Sequence, residues 1–272
     1  MDKECVVAIV GGAGGIGMAL ARCFGAEGAH VVLLDRDVDA LERASEALTS
    51  CSASVLPIPC DVCSSEAIDN AVETLRDRYG RLDILIYSAG LTHVSPFLDT
   101  DLAVYRRVME VNFFGAVAMT KAVLPLLLES QGQVIILSSI AGFAPVIGRT
   151  GYCASKYALH GFFETLRTEL KDQGVHALLV CPSFVETDFA RSGLDGDGTT
   201  LQFDRSTTGK PLTPEGVAQA IKSAAAKRRR LLVLSPTGKL AYWVSRLLPG
   251  LYERGMSRRF RIELERRERG RS

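Results

Sequence analysis

Short β-branched apolar runs alternate with segments whose apolar residues recur every three or four positions, from the N-terminus to about residue 234. The run from Cys5 to Val10 ends in glycines and predicts a buried parallel strand. A helix over Gly15 to Gly25 follows, then a strand from His30 to Asp35 that closes on a carboxylate. Leu41, Ala44 and Leu48 make the stripe of a second helix, Ser54 to Pro59 a third strand, and Ile68, Val72 and Leu75 a third stripe. Leu82 to Tyr87 reads as the fourth strand and Gln133 to Leu137 as the fifth, with a long helix from about Leu102 to Glu129 between them. A helix around Tyr152 leads to a sixth strand from Val175 to Val180, and Leu231 to Leu234 supplies the seventh. Between these last two, Asp188 to Pro211 is rich in Gly, Asp, Thr and Ser, which suits a lid loop. Thr213-Pro214-Glu215 then reads as N-cap, first helical position and first-turn acid of a further helix.

Strands alternating with helices at this rhythm predict βαβ units. The fold expected is a single-domain α/β Rossmann fold: a doubly wound seven-stranded parallel sheet with helices on both faces and a C-terminal helical extension. Residues 1–236 form the dinucleotide-binding and catalytic domain, with a substrate lid at about 188–212, and residues 237–272 a basic helical extension. An apolar fraction of 47% with 23% charged residues in 272 residues suits one large core. A net charge of +1 gives no electrostatic case for nucleic acid. Seven scattered cysteines, with no apolar leader ahead of the first strand, predict reduced thiols in a cytoplasmic protein. Cys60-x-x-Cys63 has no second ligand pair at zinc spacing, so no metal is expected.

Chemistry enters through a conflict on one helix. Tyr152, Lys156, Leu159, Phe163, Leu166 and Leu170 share a face at steps of four and three. The last four form a core stripe, and a lysine there needs a strong acceptor, which the phenol one turn away and a bound polar ligand would supply. Upstream, Val10-Gly11-Gly12-Ala13-Gly14-Gly15-Ile16-Gly17 follows a strand and opens a helix, a turn that can bring N–H groups up to a pyrophosphate. The glycines fit G-x-G-x-x-G through Gly12, Gly14 and Gly17, or G-x-x-x-G-x-G through Gly11, Gly15 and Gly17. Asp35, 18 residues beyond Gly17, suits the adenosine ribose hydroxyls and favours NAD over NADP; Arg36 could instead pair with a 2′-phosphate.

With the glycine turn, Asn112, Ser139 and Tyr152-x-x-x-Lys156 taken together, the chain resembles the short-chain dehydrogenase/reductase family over roughly residues 5 to 235. Ser139 precedes Tyr152 by 13 residues, the family's usual interval, and the family's glycine spacing selects Gly11, Gly15 and Gly17. The resemblance implies that Tyr152 is the general acid/base, that Ser139 holds the substrate oxygen, and that Lys156 binds the nicotinamide ribose and lowers the tyrosine pKa. It implies a water-linked proton relay at Asn112, adenine contact at Asp61 and a grip on the carboxamide at Thr187. It also places Ile16, Val62, Ala89, Gly90 and Pro182 against the cofactor. The family's Asn-Asn-Ala-Gly stands here as Tyr87-Ser88-Ala89-Gly90, so the contacts of that first asparagine must be replaced.

Phe97, Phe143, Val146 and Phe184 are expected pocket walls, and would suit a hydrophobic steroid-, retinoid- or acyl-like alcohol or ketone. His93, His160 and His176 lack triad or metal spacing and are expected at core or surface positions. The tail joins an apolar segment, Leu240 to Leu251, to arginines from Arg254 to Arg271. It is too short and interrupted to span a bilayer, and it suits either packing on the lid or a partner, or peripheral membrane contact. A homodimer or homotetramer is implied by the resemblance. The alternative to an enzyme is a silent dinucleotide-binding sensor, which the complete set of Asn112, Ser139, Tyr152 and Lys156 argues against.

Overall fold

The computed structural model describes residues 5–49, 54–190, 193–201 and 211–258. Seven strands form one wholly parallel sheet in the order β3-β2-β1-β4-β5-β6-β7. They are β1 Val6–Val10, β2 His30–Asp35, β3 Ser54–Pro59, β4 Ile84–Tyr87, β5 Gln133–Leu137, β6 His176–Cys181 and β7 Leu231–Val233. The helices are α1 Gly15–Gly25, α2 Val38–Leu48, α3 Ser65–Tyr79, α4 Leu102–Met109, α5 Gly115–Ser130, α6 Thr150–Glu169, α7 Pro214–Ala226 and α8 Pro236–Leu247. A further helix, α9, covers 249–258.

The strands are apolar on both sides because both sides are covered. Val7, Ile9, Val31 and Leu33 pack against Leu20 and Phe24 of α1, Leu41 and Leu48 of α2, and Val217 and Ile221 of α7. Val6, Ala8, Val10 and Leu85 meet Leu75 of α3, Met119 and Val123 of α5, and Leu159 and Phe163 of α6. Each such side chain larger than alanine contributes about 1.5–3 kcal/mol on burial. The expected doubly wound fold is therefore the one observed.

Four strands differ from the sequence reading at their ends: β1 begins at Val6, not Cys5, and β7 ends at Val233, not Leu234. β4 begins at Ile84, not Leu82, because the Asp83 carboxylate turns back to accept the Val6 N–H at 2.9 Å and holds Arg81 at 2.8 Å. β6 runs one residue later than expected, His176–Cys181, its first residue pairing with Gln133. The long helix is continuous over 102–130 but passes through a π-helical turn at Glu110–Phe114. Its length and composition would suffice to cross a membrane. Val104, Val108, Ala116, Met119 and Leu127 are buried in the protein, so the apolarity is that of a core helix. The strand order reverses between β1 and β4, which opens a crevice at their C-terminal ends.

Candidate active site

From β1 the chain turns through Gly11 to Gly14 into α1. Gly11 has φ +76°, and a Cβ there would stand 2.7 Å from the Ala89 nitrogen. A Cβ at Gly17 would collide with the Gly11 carbonyl oxygen, and one at Gly15 would meet the Thr187 methyl at 2.7 Å. The three glycines are thus required by the packing of the chain on itself, which brings turn, helix and the β4 and β6 loops together. Gly14, the N-cap of α1, makes no side-chain hydrogen bond, and no acid lies in the first turn. The opening N–H groups are left suited to an anion.

This turn borders a cleft of about 680 Å³, whose other walls include Ile16, Asp35, Arg36, Asp61, Val62, Ala89, Gly90 and Thr187. Asp35 accepts from the Ala13 and Asp37 N–H groups, each at 3.2 Å, which fixes its carboxylate beside the glycine turn. Asp61 both lines the cleft and caps its own turn, accepting the Cys63 N–H at 3.0 Å. Gly17 lies outside the cleft wall.

A second cavity, of about 500 Å³, adjoins the cleft and shares Ile16, Ser88, Gly90, Thr187 and Phe189 with it. Ser139, Tyr152, Lys156 and Pro182 line it. Lys156 is 3% exposed, and burial pushes its pKa down to about 8. Its ammonium donates to the Leu137 carbonyl at 2.7 Å and lies 5.7 Å from the Tyr152 ring centroid. The last carbonyl of β5 is thus an acceptor for this lysine beyond the phenol and bound ligand expected from the sequence. Tyr152 is buried, its ring 6.3 Å from that of Phe189.

The two adjacent serines divide their work. Ser139 Oγ accepts the Ala141 N–H at 3.1 Å, and as an acceptor there it keeps its own O–H to donate. Ser138 Oγ is turned onto α6, donating to the Lys156 carbonyl at 3.4 Å and lying 3.1 Å from His160 Nε2. A Cβ at Gly142 would strike both partners of that last contact.

Asn112 is fully buried in the π-helical turn and lines neither cavity. Its Oδ1 accepts the Leu91 N–H at 2.6 Å, while Nδ2 donates to the Leu91 carbonyl and to Ser155 Oγ, both at 2.8 Å. Ser155 in turn donates to the Tyr152 carbonyl at 2.8 Å. Asn112 thus clamps the loop after β4 to the helix that carries Tyr152 and Lys156. The widened turn also leaves the Val111 carbonyl to accept the Tyr87 hydroxyl at 2.5 Å. Tyr87 supplies a tie of its own where the family's asparagine is missing.

Of the expected pocket walls, Val146 and Phe184 line the second cavity. Phe143 is buried behind it, edge-on to Tyr242 at 5.1 Å, because α8 covers it. Phe97 points outward, 70% exposed. Sequence reasoning missed Phe189 and Arg149, and the wall formed by Leu240, Ala241 and Val244 of α8 with Tyr252 and Met256 of α9. The i, i+4 spacings of 240/244 and 252/256 were the available signal. His93 is fully buried with neither ring nitrogen hydrogen-bonded, and burial, then Arg149, pushes its pKa down to about 4. His160 is also buried, and His176 bonds the Arg229 carbonyl at 2.9 Å. Parts of the lid (191–192 and 202–210) and of the tail (259–272) lie outside the described residues. Among the described residues no group of His, Cys, Asp and Glu could hold a metal.

The chain matches the short chain dehydrogenase family model over residues 5–196. It is 35% identical to dehydrogenase/reductase SDR family member 7B of Bos taurus, across 96% of this chain and 83% of the relative. The Danio rerio protein of that name is 32% identical, across 98% of this chain and 89% of its own. Among solved structures, a short chain dehydrogenase/reductase from Burkholderia phymatum in complex with NAD has a TM-score of 0.80 at 22% identity, covering 91% of this chain and 94% of that one. An actinorhodin polyketide ketoreductase variant with NADPH has a TM-score of 0.76 at 27% identity, covering 85% and 96%.

Proposed function

The chain belongs to the short-chain dehydrogenase/reductase family and is an oxidoreductase, and from that premise we propose that it interconverts a secondary alcohol and a ketone on a hydrophobic substrate. The observation that carries this reading is the meeting of Ser139, Tyr152 and Lys156 in one largely apolar cavity that shares walls with the glycine-turn cleft. A nicotinamide dinucleotide in that cleft supplies the hydride acceptor or donor. The solved relatives named above carry NAD in one case and NADPH in the other. Asp35 supports NAD for this chain, because its carboxylate would repel a 2′-phosphate.

Tyr152 takes the hydroxyl proton in oxidation and returns it to the carbonyl oxygen in reduction. A free phenol titrates near pH ~10, so a positive neighbour is needed, and Lys156 is that neighbour. Ser139 donates to the substrate oxygen as charge develops there. Asn112 acts as a positioning residue, holding Leu91 and Ser155 around the reacting groups. The assay is oxidation of NADH and of NADPH with a panel of hydrophobic ketones, with NADH expected to be the better donor. Tyr152→Phe should lower kcat by about two to four orders of magnitude, and a mutant of full activity would overturn the acid/base assignment.

Beside this chemistry, the proposed state of the protein is a cytoplasmic homodimer or homotetramer. Free thiols at Cys23, Cys60, Cys63, Cys153 and Cys181 support the compartment, and the half-exposed Phe114 and Tyr157 suit a subunit contact.

A further inference from the structure

α8 and α9 are apolar on two sides. One side walls the second cavity through Ala241, Val244, Tyr252 and Met256. The other presents Trp243, Leu247 and Leu251 to solvent at 60%, 69% and 60% exposure, with Leu248 beside them, while Leu240 stands exposed at the cavity rim between the two sides. A helix on the surface of a globular protein is normally polar on its outer side, and so large an apolar patch marks a contact. The charges around it are one-sided: Lys239, Arg246, Arg254 and Arg258 are exposed, against Glu253 alone among residues 236–258. Arg246 lies over the Tyr242 ring, 3.8 Å from its centroid, so its cation stands at the margin of the apolar strip.

We propose that the outer side of α8 and α9 docks on an anionic bilayer surface, and that the hydrophobic substrate passes from that bilayer into the cavity beside Val244 without crossing water. Trp and Leu side chains flanked by cations are the composition that lies in a headgroup layer, with the apolar side sunk into the acyl boundary. A second copy of this chain would meet the same four cations across a two-fold axis, so like charge disfavours it. The loading step rests on the proposed alcohol/ketone chemistry; the docking does not.

Trp243 is the only tryptophan, so the unmodified protein reports on itself. With vesicles of phosphatidylcholine containing about one-third phosphatidylserine, its emission should shift to the blue and be quenched by brominated acyl chains. The protein should sediment with these vesicles, less so with added salt, and weakly with phosphatidylcholine alone. Trp243→Glu with Leu247→Glu changes two side chains outside the cavity wall. It should weaken sedimentation at least about tenfold, keep turnover of a water-soluble ketone, and slow turnover of a ketone held in the bilayer. No emission shift with a protein that stays in solution overturns the docking. So does a double variant that sediments as well as wild type, or light scattering that shows these substitutions splitting a dimer. Equal rates on the bilayer-held ketone overturn the loading step. Vesicle binding with no ketone turned over upholds the docking and removes the chemistry instead.

Discussion

Lys156 is under two opposed demands: its charge is needed beside Tyr152, and its burial penalises that charge. With its pKa near 8 in the folded chain and 10.5 when free, both states bind the proton below pH 8 and folding bears the whole cost. Between pH 8 and 10.5 the unfolded chain still binds a proton that the folded chain has released, so stability rises with pH in that window. Urea unfolding of wild type and Lys156→Met at stepped pH should show the difference moving in favour of wild type across it, and a constant difference would contradict the assignment. The variant should also lose about two orders of magnitude in kcat, as the tyrosine loses its positive neighbour. This residue was legible in the sequence because a lysine on a core stripe is anomalous whatever surrounds it. Its acceptor was not, since the Leu137 carbonyl lies 19 residues away on another element.

The π-helical turn at Glu110–Phe114 does at the scale of the element what a loop does elsewhere: it frees backbone groups and turns Asn112 inward. Apolar spacing foretold one helix from about Leu102 to Glu129 and nearly located its end. It gave no sign of the turn, because one extra residue per turn leaves the composition of the buried face unchanged. The tie from Tyr87 to Val111 holds the widened turn against β4. Tyr87→Phe removes that buried bond and strands an acceptor, which should cost about 1–3 kcal/mol in denaturant unfolding. Gly115→Ala puts a methyl 2.6 Å from the Tyr87 hydroxyl and 2.9 Å from Val62, and should destabilise by a similar amount, about 1–3 kcal/mol. Both variants should lower kcat more than they raise KM, since Asn112 touches the loop and helix of the site and neither cavity. Loss of stability at unchanged kcat would confine the turn to a structural part.

Over the whole molecule, the two-faced sheet was readable because strands covered on both sides are written as unbroken apolar runs. The cavity was readable only in part: Ser139, Tyr152 and Lys156 come from adjoining elements, while α8 and α9 reach it from the end of the chain. Val244 lines the second cavity and not the cleft. Val244→Trp should therefore raise KM for bulky ketones by about tenfold and leave the dissociation constant of the dinucleotide, read by fluorescence titration, where it was. The two spaces nevertheless meet along Ile16, Ser88, Gly90, Thr187 and Phe189, so that common wall is not finished until the cleft is filled. Under the proposed chemistry, a ketone arriving first finds a floor with a gap in it. The two reactants are then bound to a sequence of addition, dinucleotide before ketone, and to departure in the reverse sequence, so the oxidised dinucleotide competes with the reduced one while the alcohol product does not.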